Sequence, residues 1–183
     1  MNKLRPTLWR TCRVLASETR LQLLWSLFEN DGLCVADLAR LTGISEQNAS
    51  NQLRALNARG LITPHRIGLQ VFYRPEPNTE VEHAQTLLDA LRDCCEKKMP
   101  FASIIRQTTA FTHARRILII QALADGPASF GDLHEQTGIP AASLSHHLKK
   151  LEARRFVRRG GGKYYQNTPG NSFGRLLRKT ACA

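Results

Sequence analysis

Residues 37–61 read DLARLTGISEQNASNQLRALNARGL, and residues 132–156 read DLHEQTGIPAASLSHHLKKLEARRF. The second stretch is the first displaced by 95 positions, and ten of the 25 aligned residues are identical. These are Asp37/Asp132, Leu38/Leu133, Thr42/Thr137, Gly43/Gly138, Ile44/Ile139, Ser50/Ser145, Leu53/Leu148, Leu56/Leu151, Ala58/Ala153 and Arg59/Arg154. Unrelated segments of ordinary composition would share about one or two. The spacing also exceeds the roughly 20–50-residue period of solenoids, so each copy reads as a whole small domain.

The pattern inside each copy implies two helices joined by a sharp turn. Leu38 and Leu41 mark a short first helix, and Gly43 supplies the left-handed backbone that a tight helix-to-helix turn needs. Ser45 is placed to cap the second helix. Its apolar residues Ala49, Leu53 and Leu56 recur at i, i+4 and i+7. In the second copy Pro140 opens the helix, where a missing N–H costs little, and Leu144, Leu148 and Leu151 form the stripe. This is a helix-turn-helix, whose second helix is suited to a DNA major groove; an ordinary αα-hairpin is the plainer reading.

The segment after each copy decides between them. Residues 61–74, LITPHRIGLQVFYR, place two short apolar segments around a tip near Gly68, which reads as a β-hairpin. Pro64 limits its first strand to an edge. Residues 156–167, FVRRGGGKYYQN, read as a second hairpin with three glycines at the tip and Arg158, Arg159 and Lys163 around them. Further helices are expected at 4–16, from Ser17 to a stop at Asp31 and Gly32, at 79–98, 101–111 and 113–124, and at 171–180. Ser129 and Asp132 have the S-x-x-D spacing of a capping box. The fold class is therefore mainly α with small β-hairpins (α+β): two winged helix-turn-helix domains in tandem, divided at residues 1–99 and 100–183.

Charge is unevenly spread over this plan. The net charge is +11 over 183 residues. Residues 1–99 hold 13 Lys and Arg against 11 Asp and Glu, whereas residues 100–183 hold 13 against 4. A strongly basic half fits a polyanionic partner, most simply double-stranded DNA. No apolar run approaches the roughly 20 residues of a membrane span. The N-terminus MNKLRPTLWR lacks the apolar core of a signal peptide, so a cytoplasmic location is expected. No phosphate loop, zinc spacing or nucleophile elbow is present, and no enzyme activity is expected.

The segments LASETRLQLL and TGISEQNASNQLRALNARGLI resemble the ArsR/SmtB family of bacterial repressors, as does SLSHHLKKLEARRFVRRGGGKYYQ in the second copy. The latter carries the family's S-x-H-L signature through Ser145, His147 and Leu148; the first copy has Gln52 where that His would fall. The resemblance implies a DNA-binding transcriptional repressor. It also implies a dimer, supplied here either by one chain as a monomeric pseudo-dimer or by a homodimer. Its metal-sensing members carry an E-L-C-V-C-D-L box, and the corresponding residues here are Gly32, Leu33, Cys34, Val35, Ala36, Asp37 and Leu38. One thiol remains, so that site reads as lost, and no cofactor is expected.

Five scattered cysteines leave two lesser ideas: a thiophilic metal or metalloid held by Cys12, Cys94 and Cys95, or a redox-sensitive Cys34 at a helix N-terminus. For the first, the plainer reading is small hydrophobes on an apolar stripe. The expected DNA contacts are Gln47, Asn48, Asn51 and Arg54 on the first recognition helix, with Arg66 in the first wing. On the second helix they are Ser143, Ser145, His146, His147, Lys149 and Lys150, with Arg158, Arg159 and Lys163 in its wing. Amides and guanidinium groups suit adenine and guanine edges, and cations suit phosphate or a narrow minor groove. The competing reading is a protein-interaction module of tandem winged helices in a chromosome-associated complex.

Overall fold

The computed structural model describes residues 7–183. Helix α1 (Leu8–Leu15) leads into α2 (Glu18–Glu29), strand β1 (Leu33–Cys34), α3 (Val35–Thr42), α4 (Glu46–Asn57), the hairpin β2 (Thr63–Ile67) and β3 (Gln70–Arg74), and α5 (Ala84–Glu96). Then come α6 (Phe101–Thr108), α7 (Ala114–Ala122), β4 (Ala128–Ser129), α8 (Phe130–Thr137), α9 (Ala141–Ala153), β5 (Val157–Gly160), β6 (Lys163–Gln166) and α10 (Ser172–Cys182). The order from α2 to α5 is repeated from α7 to α10, as the internal repeat requires. The fold is two winged helix-turn-helix domains in tandem.

Local chemistry explains the turns. Gly43 and Gly138 end α3 and α8 with φ of 67° and 63°, the left-handed conformation that a Cβ disfavours. Ser45 Oγ accepts from the Asn48 amide at 3.2 Å. Ser129 and Asp132 form a reciprocal capping box, with bonds of 3.2 and 2.9 Å. The predicted helix at 79–98 begins only at Ala84, because His83 has a φ of 66° and breaks the helical path. Residues 4–6 of the helix expected at 4–16 lie outside the described residues.

Each wing is a three-stranded antiparallel sheet rather than a lone hairpin, in the orders β1-β3-β2 and β4-β6-β5. The added strands are two residues long, too short for any alternation to announce them. β2 carries Pro64 at the sheet edge, where its missing N–H leaves no ladder bond unmade.

The described chain forms two units, one from Ser17–Ile105 and the other from Leu8–Ala16 with Arg106–Ala183. The division falls inside α6 rather than after residue 99, and α1 belongs to the second unit although it precedes the first. Its stripe Leu8, Cys12 and Leu15 is buried, but an apolar stripe says nothing about which surface it will cover. In the first unit Leu21, Leu24, Leu38, Leu53 and Leu56 are fully buried. In the second, Ile119, Ile120, Leu144 and Leu151 are fully buried, as are Phe111 and Phe156, whose rings meet edge-on at 4.7 Å. Each such side chain contributes about 1.5–3 kcal/mol on burial.

Gly60 follows α4 with a φ of 67°, and a Cβ there would lie 2.8 Å from Val81 Cβ. Gly43 has the same φ but open space around it. Gly60→Ala should therefore lower stability by about 2–4 kcal/mol and Gly43→Ala by only about 1–2. Urea unfolding of the two variants measures the difference, and equal losses would mean that Val81 yields freely.

Candidate nucleic-acid interface

α4 presents one buried and one open face. Ala49, Leu53 and Leu56 are fully buried, whereas Gln47, Asn51 and Arg54 are exposed and Asn48 is half-buried. The outward groups are joined to one another. Asn51 Oδ1 accepts from Arg54 Nη2 at 2.9 Å and from Gln47 Nε2 at 3.5 Å. Asn48 Oδ1 accepts from Gln52 Nε2 at 2.9 Å, and Gln52 Oε1 accepts from Arg20 Nη1 at 2.7 Å. A row of amides and a guanidinium, held by their neighbours, suits bidentate contact with purine edges.

α9 repeats the plan with different side chains. Lys149 and His146 are exposed, and Ser143, Ser145 and Lys150 are half-buried. His147, expected to face outward, is buried, with only 6% of its surface accessible. Helix geometry gives the reason: it lies three residues after Leu144 and four before Leu151, on the margin of the inner stripe. Its ring sits 4.6 Å from that of His113 and 5.9 Å from that of His146. His147 Nδ1 is buried with no hydrogen-bond partner.

A buried cation, Arg116, acts on this ring electrostatically. Arg116 Nε donates to the Ala110 carbonyl at 2.7 Å, and Nη2 donates to the Thr109 carbonyl at 3.1 Å and to Thr112 Oγ1 at 2.6 Å. Burial, and then Arg154, pull its pKa down to about 10, so it stays charged at neutral pH. Burial is also the main cause that pushes His147 down to about 4, helped by His113, Arg116, His146 and Arg115. His147 is thus a neutral strut beneath the recognition surface. The S-x-H-L signature named this residue, but position relative to the leucines was the signal that fixed its role.

The wings differ in chemistry. Arg158, Arg159 and Lys163 are exposed, with Arg158 lying 4.1 Å over the Tyr165 ring and Arg159 5.6 Å from that of Tyr164. The aromatic faces hold the long side chains out while leaving their charges in solvent. Between them Gly161 and Gly162 turn the chain with φ of 55° and 75°, as a type I′ turn demands. In the first wing Arg66 is exposed and its Nε reaches the Gly68 carbonyl at 3.4 Å. His65 beside it is half-buried and lies 2.6 Å from Glu76 Oε2.

The thiols of the expected trio are divided between the units. Cys12 lies in the second unit, while Cys94 and Cys95 lie in the first. Burial pushes the Cys94 thiol up to about 12 and raises that of Cys12 as well, which favours the protonated form rather than the ligating thiolate. Cys34 caps α3, and its thiol donates to Asp37 Oδ2 at 3.0 Å. Among the described residues no group of three His, Cys, Asp or Glu side chains is spaced to hold a metal ion.

A family model for "Bacterial regulatory protein, arsR family" matches residues 17–63 and again residues 113–159, more than half of the 183. The chain belongs to the arsR family. The two matches coincide with the two helix-turn-helix copies. The arsenical resistance operon repressor of Escherichia coli is 34% identical over 86 residues, 47% of this chain and 72% of that protein. The transcriptional repressor SmtB homolog of Synechocystis is 34% identical over 79 residues, covering 43% and 59% respectively. The cadmium resistance regulatory protein CadC of Listeria innocua is 33% identical over 61 residues, covering 33% and 51%. The chain thus spans about half of the Listeria protein and under two thirds of the Synechocystis one. Among the described residues no helix is long and apolar enough to cross a membrane.

The buried imidazole makes the second unit sensitive to acid. The His147 pKa of about 4 lies below its ordinary 6.5, so between these values the unfolded chain binds the extra proton and stability falls as pH falls. One such group changes stability by at most about 1.4 kcal/mol per pH unit. His147→Gln, matching Gln52 of the first copy, should flatten this dependence, leaving the smaller part due to His113, which burial and then Arg116 and Arg115 also lower. Urea midpoints measured between about pH 7 and 4.5 test it, and an unchanged slope would assign the acid sensitivity to other groups.

Proposed function

We propose that the chain is a DNA-binding transcriptional repressor in which a single polypeptide supplies both recognition halves as a pseudo-dimer. The observation that carries the reading is the joint exposure of Lys149, His146 and the wing cations Arg158, Arg159 and Lys163 in the unit that holds most of the net charge. A helix face for the groove and a cationic finger for the adjoining backbone are the two parts that duplex binding needs. The pseudo-dimer is supported by the presence of two complete helix-turn-helix copies in one chain, each matching the family model by itself. The protein-interaction alternative receives no support from membership of a family of bacterial regulators.

The two recognition surfaces are unlike. Gln47, Asn51 and Arg54 on one helix and Ser143, His146 and Lys149 on the other would select different half-sites, hence an asymmetric operator rather than a palindrome. Asn48, Ser145 and Lys150, all half-buried, would flank these contacts. His147 acts through packing.

Replacing Arg158, Arg159 and Lys163 by Ala should weaken binding to random duplex DNA. It should also reduce the slope of log affinity against log salt by about 0.9 for each phosphate that is no longer neutralised. Filter binding across a salt series measures it, and an unaltered slope would remove the second wing from the interface. The relatives named for arsenical and cadmium resistance raise a second question. Since the box here retains Cys34 alone, arsenite or cadmium should leave the DNA complex intact in a mobility-shift assay. Release at micromolar metal would show that a thiol site operates after all.

A further inference from the structure

The two wings can be aligned rung by rung. Leu33 faces Tyr73 as Ala128, its repeat equivalent, faces Tyr164, and the next strand adds Pro64 opposite Tyr73 and Arg159 opposite Tyr164. One rung further, His65 pairs with Phe72 and Gly160 with Lys163. There the second hairpin closes. The first continues through Arg66 opposite Val71 and Ile67 opposite Gln70 before turning at Gly68 and Leu69. Two extra residues per strand, at about 3.3 Å each, carry its tip roughly 7 Å further.

The additional residues are mostly apolar and solvated. Leu69 is 95% exposed, Ile67 60% and Val71 37%. Gly68, with a φ of 62°, takes the first central position of a two-residue turn, as a type II′ hairpin requires, so the tip is a defined finger. Arg66 is the one charged residue in the extension and lies beside the turn. Three solvated apolar side chains within residues 67–71 of a protruding tip are unusual for a surface left to water.

We propose that this extension is a minor-groove wedge: Leu69, supported by Ile67, inserts between base pairs while Arg66 enters the groove beside it. The inference rests on the DNA-binding reading above and deepens it. A narrow minor groove attracts an arginine by its negative potential, and Leu and Ile are among the side chains that part a base step and kink the duplex. The opposite wing, with Gly161 and Gly162 at its tip and cations around them, tracks the backbone without such insertion. The first half needs little net charge because its contact is with unstacked bases. Such a kink favours deformable pyrimidine–purine steps in the half-site that the first wing contacts.

The test uses the full chain and an end-labelled duplex of about 40 base pairs recovered by it from a randomised pool. Wild type should bring the labelled ends together, read as energy transfer. Leu69→Ser should abolish the bend and lower affinity about tenfold, and Leu69→Met should restore both. Leu69 is solvated, so neither change threatens the fold. The triple Ala variant of Arg158, Arg159 and Lys163 should bind more weakly yet still bend. Binding and bending of Leu69→Ser at wild-type levels would overturn the wedge while leaving the DNA reading intact. A shift of Leu69→Ser to a smaller species in solution, with bending retained, would mean that a second copy covers the tip, which also overturns it. Recovery of no duplex from the pool would remove the DNA reading and the wedge together.

Discussion

Each recognition helix can offer a face to DNA only because its opposite face is held down by three side chains one turn apart. In α9 these are Leu144, Leu148 and Leu151, and in α4 they are Ala49, Leu53 and Leu56, all of them buried. Removing one such leucine typically costs about 2–5 kcal/mol, a large part of the stability of a domain this small. The stripe also fixes the rotation of the helix about its axis, and so decides which residues are available to a partner. Gln47, Asn51 and Arg54 are outward for the same geometric reason that His147 is not.

A second constraint is a pair of arginines on the preceding helices. Arg20 and Arg116 occupy equivalent places on α2 and α7, and each is buried enough for desolvation to lower its pKa. Arg20 donates to Gln52 on the recognition helix, whereas Arg116 is held by the Ala110 and Thr109 carbonyls and Thr112. A cation there accepts a neutral neighbour and disfavours another positive charge. Gln52 meets that condition at any pH, and His147 meets it only while unprotonated. The duplication has therefore kept the support and changed its chemistry.

Much of this was legible in the chain itself. Gly43 and Gly138, Ser45, the Ser129 and Asp132 box, Pro64 at an edge and both hairpins obey local rules that tertiary context did not override. The features that escaped have a shared character. β1 and β4 are two residues long and form only because β3 and β6 present an open ladder. The His65–Glu76 contact joins residues 11 apart that the fold alone brings together. The burial of His147 hangs on a margin between faces that one helical step of about 100° decides. The unit to which α1 belongs is set by competition between surfaces, and its own stripe is silent on that choice.

The repeat also explains why the two halves were free to diverge. In a homodimer one gene supplies both wings, so lengthening one lengthens the other, and a substitution in a recognition helix is read twice along the operator. Joining the copies in one chain lifts that restriction. The first wing has two more rungs with Leu69 at its tip, and the second has a glycine turn among cations. The charge divides the same way, with 13 basic against 4 acidic residues after position 99 and near balance before it. Long-range attraction to phosphate then comes chiefly from the second half, since exposed charges act over a Debye length of about 8 Å, whereas an apolar tip acts only on contact. Capture by one half and local reading by the other is a division of labour open to a tandem chain and closed to a pair of identical subunits.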